Sequence, residues 1–153
     1  MLDDEPTELG VSTALDEGMR RRGATDRAFA TIVACGPNSS RPHAQPSRRT
    51  LRPGDLLICD LGATVDGYRS DMTRSTRVGG TGNGPEAELL EVVLAAQQAG
   101  LDAVANGVQA SEVDAACRRS LADLARGFIH GTGHGVGLDI HEAPAISTSS
   151  TAT

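Results

Sequence analysis

Apolar residues recur at helical spacing over one long stretch of the chain. Leu89, Leu90, Val93, Leu94, Leu101 and Val104 predict an amphipathic helix running to about residue 106. Pro85 stands where a first helical residue belongs, and Glu86 and Glu88 suit the positive end of the helix dipole. Gly107 is placed to stop it. Ser111-Glu112-Val113-Asp114 then reads as a capping-box-like start to a second helix, which turns Val113, Cys117, Leu121 and Leu124 inward and ends at Gly127. A shorter helix over 11–22 is weakened by Gly18.

Strand patterns occupy the other segments. Residues 28–35, centred on Ile32 and Val33, read as one strand. Residues 55–63 and 68–78 read as two more, joined at Asp66-Gly67, a strong hairpin signal. Between the first strand and the hairpin, residues 36–53 form a long loop rich in Pro, Ser, Asn and Arg, a length that more often serves function than not. Residues 79–84 are a glycine-rich turn, and the chain from residue 128 is strand and turn. Residues 1–10 are polar and expected to fray, leaving 11–153 as one domain. Helix, strand, long loop, hairpin, two helices and strand make an α+β domain. Residues 145–153 show no terminal logic and the last strand has no visible partner, so the domain reads as part of a larger one.

Composition narrows the function classes. Aromatic residues number only Phe29, Tyr68 and Phe128, so the core must come from Leu, Val, Ile and Ala. A nucleic-acid groove of stacking rings is not expected, and a net charge of −6 argues against a phosphate backbone as partner. Cys35, Cys59 and Cys117 form no Cys-x-x-Cys pair, which points to buried free thiols in a reducing compartment. The acidic start lacks a signal pattern, and no window nears the roughly 18 apolar residues of a membrane span. A cytoplasmic protein without a membrane partner is expected.

The candidate chemistry lies in two places. In Gly131-Thr132-Gly133-His134-Gly135-Val136-Gly137-Leu138-Asp139-Ile140-His141-Glu142, every second residue from 131 to 137 is glycine. Glycine in a strand marks close approach of a backbone or a ligand, and histidine is a common metal ligand and acid/base. His130 and His134 are four apart, but the glycines between and around them oppose a helix, so a strand with both on one face is expected. In the hairpin, Val65 should face Tyr68, which sets Gly62 opposite Asp71. Asp60 then shares the face of Gly62 and becomes a diagonal neighbour of Asp71, with Gly62 leaving empty space between the carboxylates. Two carboxylates so close are stable around a cation, and with one imidazole they suit Mn, Zn, Co or Fe. His43, flanked by Pro42 and Pro46 in the long loop, is a further candidate.

These segments together resemble the pita-bread metallopeptidases: Xaa-Pro aminopeptidases, Xaa-Pro dipeptidases (prolidases) and methionine aminopeptidases. The resemblance rests on Gly36-Pro37-Asn38 through Pro42-His43, on Asp60-Leu61-Gly62 through Ser70-Asp71-Met72-Thr73-Arg74, and on residues 130–144. The Ser-Asp-Met-Thr-Arg and Gly-Leu-Asp-Ile-His-Glu forms are similar to the proline-specific branch. The resemblance implies a pita-bread fold truncated in its C-terminal half. It implies two divalent metal ions, manganese first, with zinc or cobalt as alternatives. Asp60 would chelate one ion, Asp71 would bridge both, and His134 would bind the second. His43 and His141 would be catalytic, holding substrate carbonyl and amide groups, and His130 would bind substrate on the primed side. The substrate would be a peptide with proline in second position, and the protein could act as a homo-oligomer. Two further glutamate ligands of the family belong downstream of residue 153, so this chain alone is expected to be nearly inactive. A methionine aminopeptidase-like enzyme, a metal-free creatinase-like hydrolase and a non-catalytic binding module are the alternatives. The last two lose the aspartates that this chain keeps.

Overall fold

Helix α1 (Glu8–Arg21) begins ahead of the expected residue 11, for a local reason. The Thr7 side chain accepts the Gly10 N–H and caps the first turn, where Glu8 complements the dipole. In this computed structural model, which describes residues 5–80 and 84–153, the chain ahead of the helix is also paired. The Leu51 N–H donates to the Pro6 carbonyl, Thr7 bridges to Thr50, and the Glu8 N–H donates to the Arg49 carbonyl. The expected fraying therefore does not extend to residues 6–10.

Strands β1 (Asp26–Arg27) and β2 (Ile32–Cys35) follow, so the strand expected over 28–35 is confined to its second half. A 3-10 turn, Gly36–Ser40, opens the long loop. Each expected hairpin strand is broken in two, giving β3 (Leu56–Leu61), β4 (Ala63–Val65), β5 (Tyr68–Arg69) and β6 (Met72–Arg77). The turn between β4 and β5 forms as expected. Asp66 and Gly67 both take positive φ, 51° and 85°, the type I′ geometry that matches strand twist, and Val65 faces Tyr68.

The break has a steric cause. Strands β2, β3 and β6 form one antiparallel sheet, and β1, β4 and β5 form another. The ribbon passes between the sheets at Gly62. A Cβ there would overlap the Ser70 carbonyl oxygen and stand 2.8 Å from the Phe29 ring. Only glycine admits that crossing.

Helix α2 (Pro85–Ala103) stops short of residue 106, and Gly107, at φ 84°, lies in the turn beyond it. The glycine-rich turn expected over 79–84 falls partly outside the described residues. Helix α3 (Ala110–Leu121) starts before Ser111, and its cap position, Gln109, makes no side-chain cap bond, so the expected capping box is not formed. A 3-10 turn, Ala122–Gly127, ends the helical region. Strands β7 (Gly133–Gly135) and β8 (Glu142–Ile146) pair antiparallel, which gives the last strand a partner the sequence did not show.

The chain divides into two compact units. One comprises Met1–Ala87 with Gly137–Ile140, the other Glu88–Val136 with His141–Thr153. In the first, Ala28, Val33, Ala34 and Cys35 are buried; in the second, Ala96, Ala110, Val113 and Cys117. Helix α2 does not bury the expected stripe. Leu89, Val93, Leu94, Leu101 and Val104 are 40% to 63% exposed, while Ala96 and Gly100 are buried and Gly100 meets α3 at Cys117. A Cβ on Gly100 would lie 2.5 Å from Cys117 Sγ, so the small residue fixes how closely the two helices approach. Leu124 is also exposed, against expectation.

Candidate functional site

The ribbon register sets Asp60 opposite Thr73, whose hydroxyl donates to Asp60 Oδ1 at 2.8 Å. Asp71 stands immediately before β6. Pairs on both sides of the break share one register, which leaves Asp71 across from Gly62 as expected. The expected empty space is not there: the Ser70 carbonyl fills the position a Gly62 side chain would take. The Ser70 N–H donates to the Ala63 carbonyl and the Ala63 N–H to Ser70 Oγ, which secures the chain just before Asp71. Both aspartates belong to the first unit.

His43 belongs to that unit too, exposed on the long loop. The loop is fastened by a residue that sequence reasoning passed over. Glu8, 0% exposed, accepts from the Cys35 N–H at 2.8 Å, from Asn38 Nδ2 at 3.0 and 3.1 Å, and from the Ser47 N–H and hydroxyl at 3.0 and 2.6 Å. Burial alone would push its carboxyl up, but the donors from Ser47, Cys35 and Asn38 outweigh that and lower it to about 2. Asn38 and Ser47 bracket His43, so one buried carboxylate holds both flanks of its loop. Arg49 reinforces the second flank through a 2.9 Å pair with Asp55.

The other histidines belong to the second unit. His134 lies in β7 opposite Ala145. The glycines beside it make room for β8: a Cβ at Gly135 would overlap the Ala143 carbonyl oxygen, and one at Gly131 would meet the Ile146 carbonyl at 2.8 Å. Close backbone approach, not a ligand, accounts for these two positions. His134 is half-buried, and its Nδ1 lies 2.9 Å from the Gly135 carbonyl oxygen. A carbonyl only accepts, so the neutral ring carries its proton on Nδ1 and its lone pair on Nε2, the tautomer of a metal-ligating histidine. The His141 ring stands 4.4 Å from that of His134, tilted by 60°. His130 precedes β7 in irregular chain, so the expected shared strand face with His134 does not arise. Its ring meets Phe128 edge-on at 4.7 Å, and its Nδ1 lies 2.8 Å from the Gly131 carbonyl.

The structure thus joins His134 to His141 and Asp60 to Thr73. The predicted metal set is divided between the units, Asp60 and Asp71 in one and His134 in the other. Among the described residues no group of three or more His, Cys, Asp or Glu side chains forms a metal site. The donors fit a divalent ion in kind, carboxylate oxygens with an imidazole nitrogen.

Residues 1–153 match metallopeptidase family M24. The chain is similar to a Xaa-Pro dipeptidase of Pyrococcus furiosus, 42% identical over 142 residues that cover 92% of this chain and 40% of the relative. It is 38% identical to a Xaa-Pro dipeptidase of Lactobacillus delbrueckii, covering 92% and 39% of the two chains. Its structure superposes on that of an X-Pro aminopeptidase from Thermotoga maritima with a TM-score of 0.89 and 34% identity, over 99% of this chain and 43% of the other. The chain therefore spans about two fifths of the length of the relatives it matches, and over that span has their pita-bread fold. It belongs to metallopeptidase family M24, a family of divalent-metal hydrolases.

Proposed function

We propose that the chain carries part of the active site of a metal-dependent exopeptidase that hydrolyses Xaa-Pro bonds, as an aminopeptidase or a dipeptidase. The observation that supports it most is the ribbon register, which sets Asp60 against Thr73 and Asp71 at the mouth of β6, in a chain 42% identical to a Xaa-Pro dipeptidase. Retention of both aspartates favours this reading over a metal-free hydrolase or a binding module.

Asp60, Asp71 and His134 would be this chain's ligands to two divalent ions, manganese first. Bound ions of this kind polarise a peptide carbonyl and lower the pKa of water toward 7. The remaining work falls to this chain's own side chains. His141, beside His134, and His43, on its fastened loop, would hydrogen-bond the carbonyl and amide groups of the substrate and hold them in place. His130 would line the primed side of the cleft. The substrate is a peptide with proline in second position, and the cytoplasm suits the free Cys35, Cys59 and Cys117. No helix among the described residues is long and apolar enough to cross a membrane.

Three donors undersupply two cations, since even a small tetrahedral ion takes about four ligands. A polypeptide of these 153 residues alone should bind metal weakly and hydrolyse little. The test is a hybrid in which these residues replace the matching part of the Pyrococcus furiosus dipeptidase. Chelator-sensitive hydrolysis of Ala-Pro is expected, reduced to background by Asp71→Ala and altered mainly in substrate preference by His130→Ala. Equal and total loss from both substitutions contradicts the assigned roles.

A further inference from the structure

One turn of α3 carries a charged pair that none of the assigned roles uses. Asp114, 0% exposed, and Arg118 are one helical turn apart, with Arg118 Nε donating to Asp114 Oδ2 at 2.7 Å and Nη2 to Oδ1 at 3.4 Å. Burial would push the Asp114 carboxyl up, but the Arg118 guanidinium and the Thr132 hydrogen bonds hold it below the ordinary carboxylate range. Both members of the pair reach out of the helix to the same short segment.

Arg118 Nη1 donates to the Phe128 carbonyl at 2.7 Å, and Nη2 donates to the His130 carbonyl at 2.6 Å. Asp114 Oδ1 accepts the Thr132 N–H at 3.1 Å and its hydroxyl at 2.8 Å. Residues 128, 130 and 132 are thus each tied to the pair. The contact continues into the side chains. The guanidinium carbon lies 4.4 Å from the Phe128 ring centroid, and that ring meets the His130 imidazole edge-on at 4.7 Å and 87°.

We infer that Arg118, anchored by Asp114, is a positioning residue for His130, setting its imidazole through two backbone carbonyls and the Phe128 ring. The inference rests on the reading of His130 as a substrate-facing group, but the placement itself is a matter of geometry. A planar guanidinium spends Nε, Nη1 and Nη2 on three different partners while its carbon lies over an aromatic ring. A lysine at this position keeps the charge yet cannot hold the same three partners in one plane, so charge alone does not reproduce the device.

The test is solution NMR of the histidine ring C–H groups of the 153-residue chain, which has four histidines. In the unsubstituted protein, His130 should be displaced from its random-coil position by the Phe128 ring, with Overhauser contacts linking Arg118 Hδ, the Phe128 ring and the His130 ring. Arg118→Lys should move the His130 signals toward random coil and leave those of His43 in place. Phe128→Leu, which keeps the ion pair, should do the same. A folded Arg118→Lys protein with unmoved His130 signals overturns the inference. So does absence of the Overhauser contacts in the unsubstituted protein, a result that holds whether or not the variants fold. Because the readout is geometric, its failure leaves the Xaa-Pro reading standing, and failure of the hybrid's peptidase activity leaves the positioning role standing.

Discussion

Glu8 shows how much a single residue can do without a visible signature. It sits in a polar stretch and looks like an ordinary acid of a first helical turn. What distinguishes it is the convergence of donors from Cys35, Asn38 and Ser47, all distant in sequence. Its carboxyl falls from 4.5 to about 2 on folding, a difference worth roughly 3 kcal/mol of stability. Because the folded value is the lower one, that stability is fully present above the unfolded value. It is lost as pH falls from about 4.5 toward 2. Denaturant melts should therefore show the unsubstituted chain weakening across that window. Glu8→Gln, which sets an amide donor against buried donors, should be weakened already at pH 7 and lose less on acidification. Identical acid sensitivity in the two proteins counts against the clamp. Gly62 makes the complementary point. Its place opposite Asp71 was legible from the hairpin count, but its reason was not, because the Ser70 carbonyl arrives only when the ribbon changes sheets. Gly62→Ala should cost about 1–3 kcal/mol by urea titration, the usual range for overpacking, and a neutral result would show the crossing to be looser than described.

Elements were legible where the signal was local. The Asp66-Gly67 turn, the Val65–Tyr68 pairing and the Pro85 start all depend on residues within a few positions, and all form as expected. The capping box at Ser111 is an exception, local yet not formed because the helix starts a residue earlier, and the inward stripe of α2, which depends on what packs nearby, also differs. The periodicity of α2 correctly marked a helix, yet Leu89, Val93, Leu94 and Leu101 face outward and its contact with α3 is at Gly100. This makes an unusual prediction. Leu94→Glu and Leu101→Glu should change stability by no more than about 0.5 kcal/mol, as surface substitutions do. Gly100→Ala should destabilise by about 1–3 kcal/mol despite its better helix propensity, because its Cβ would press on Cys117 Sγ. Thermal melts of the three variants would reverse that order if the leucines were the true contact. At this scale the Asp114–Arg118 pair was half legible: the spacing advertises an ion pair, but nothing in it shows the reach to residues 128–132.

At the scale of the whole molecule, the sequence carries family membership more clearly than it carries a working site. Asp60, Asp71 and His134 sit on a ribbon and a strand that form largely as their local patterns dictate. Their grouping is not local: the aspartates and the histidine belong to different units, and the chain spans about two fifths of its relatives' length. The metal-ligand assignment can be tested on these residues directly. The measurement is a manganese titration of the isotope-labelled chain, read by paramagnetic broadening, which detects even weak binding. The signals of Asp60, Asp71 and the His134 ring should broaden first and together, and Asp71→Ala should abolish that response. Early broadening at other acidic residues with these three unaffected would contradict the assignment.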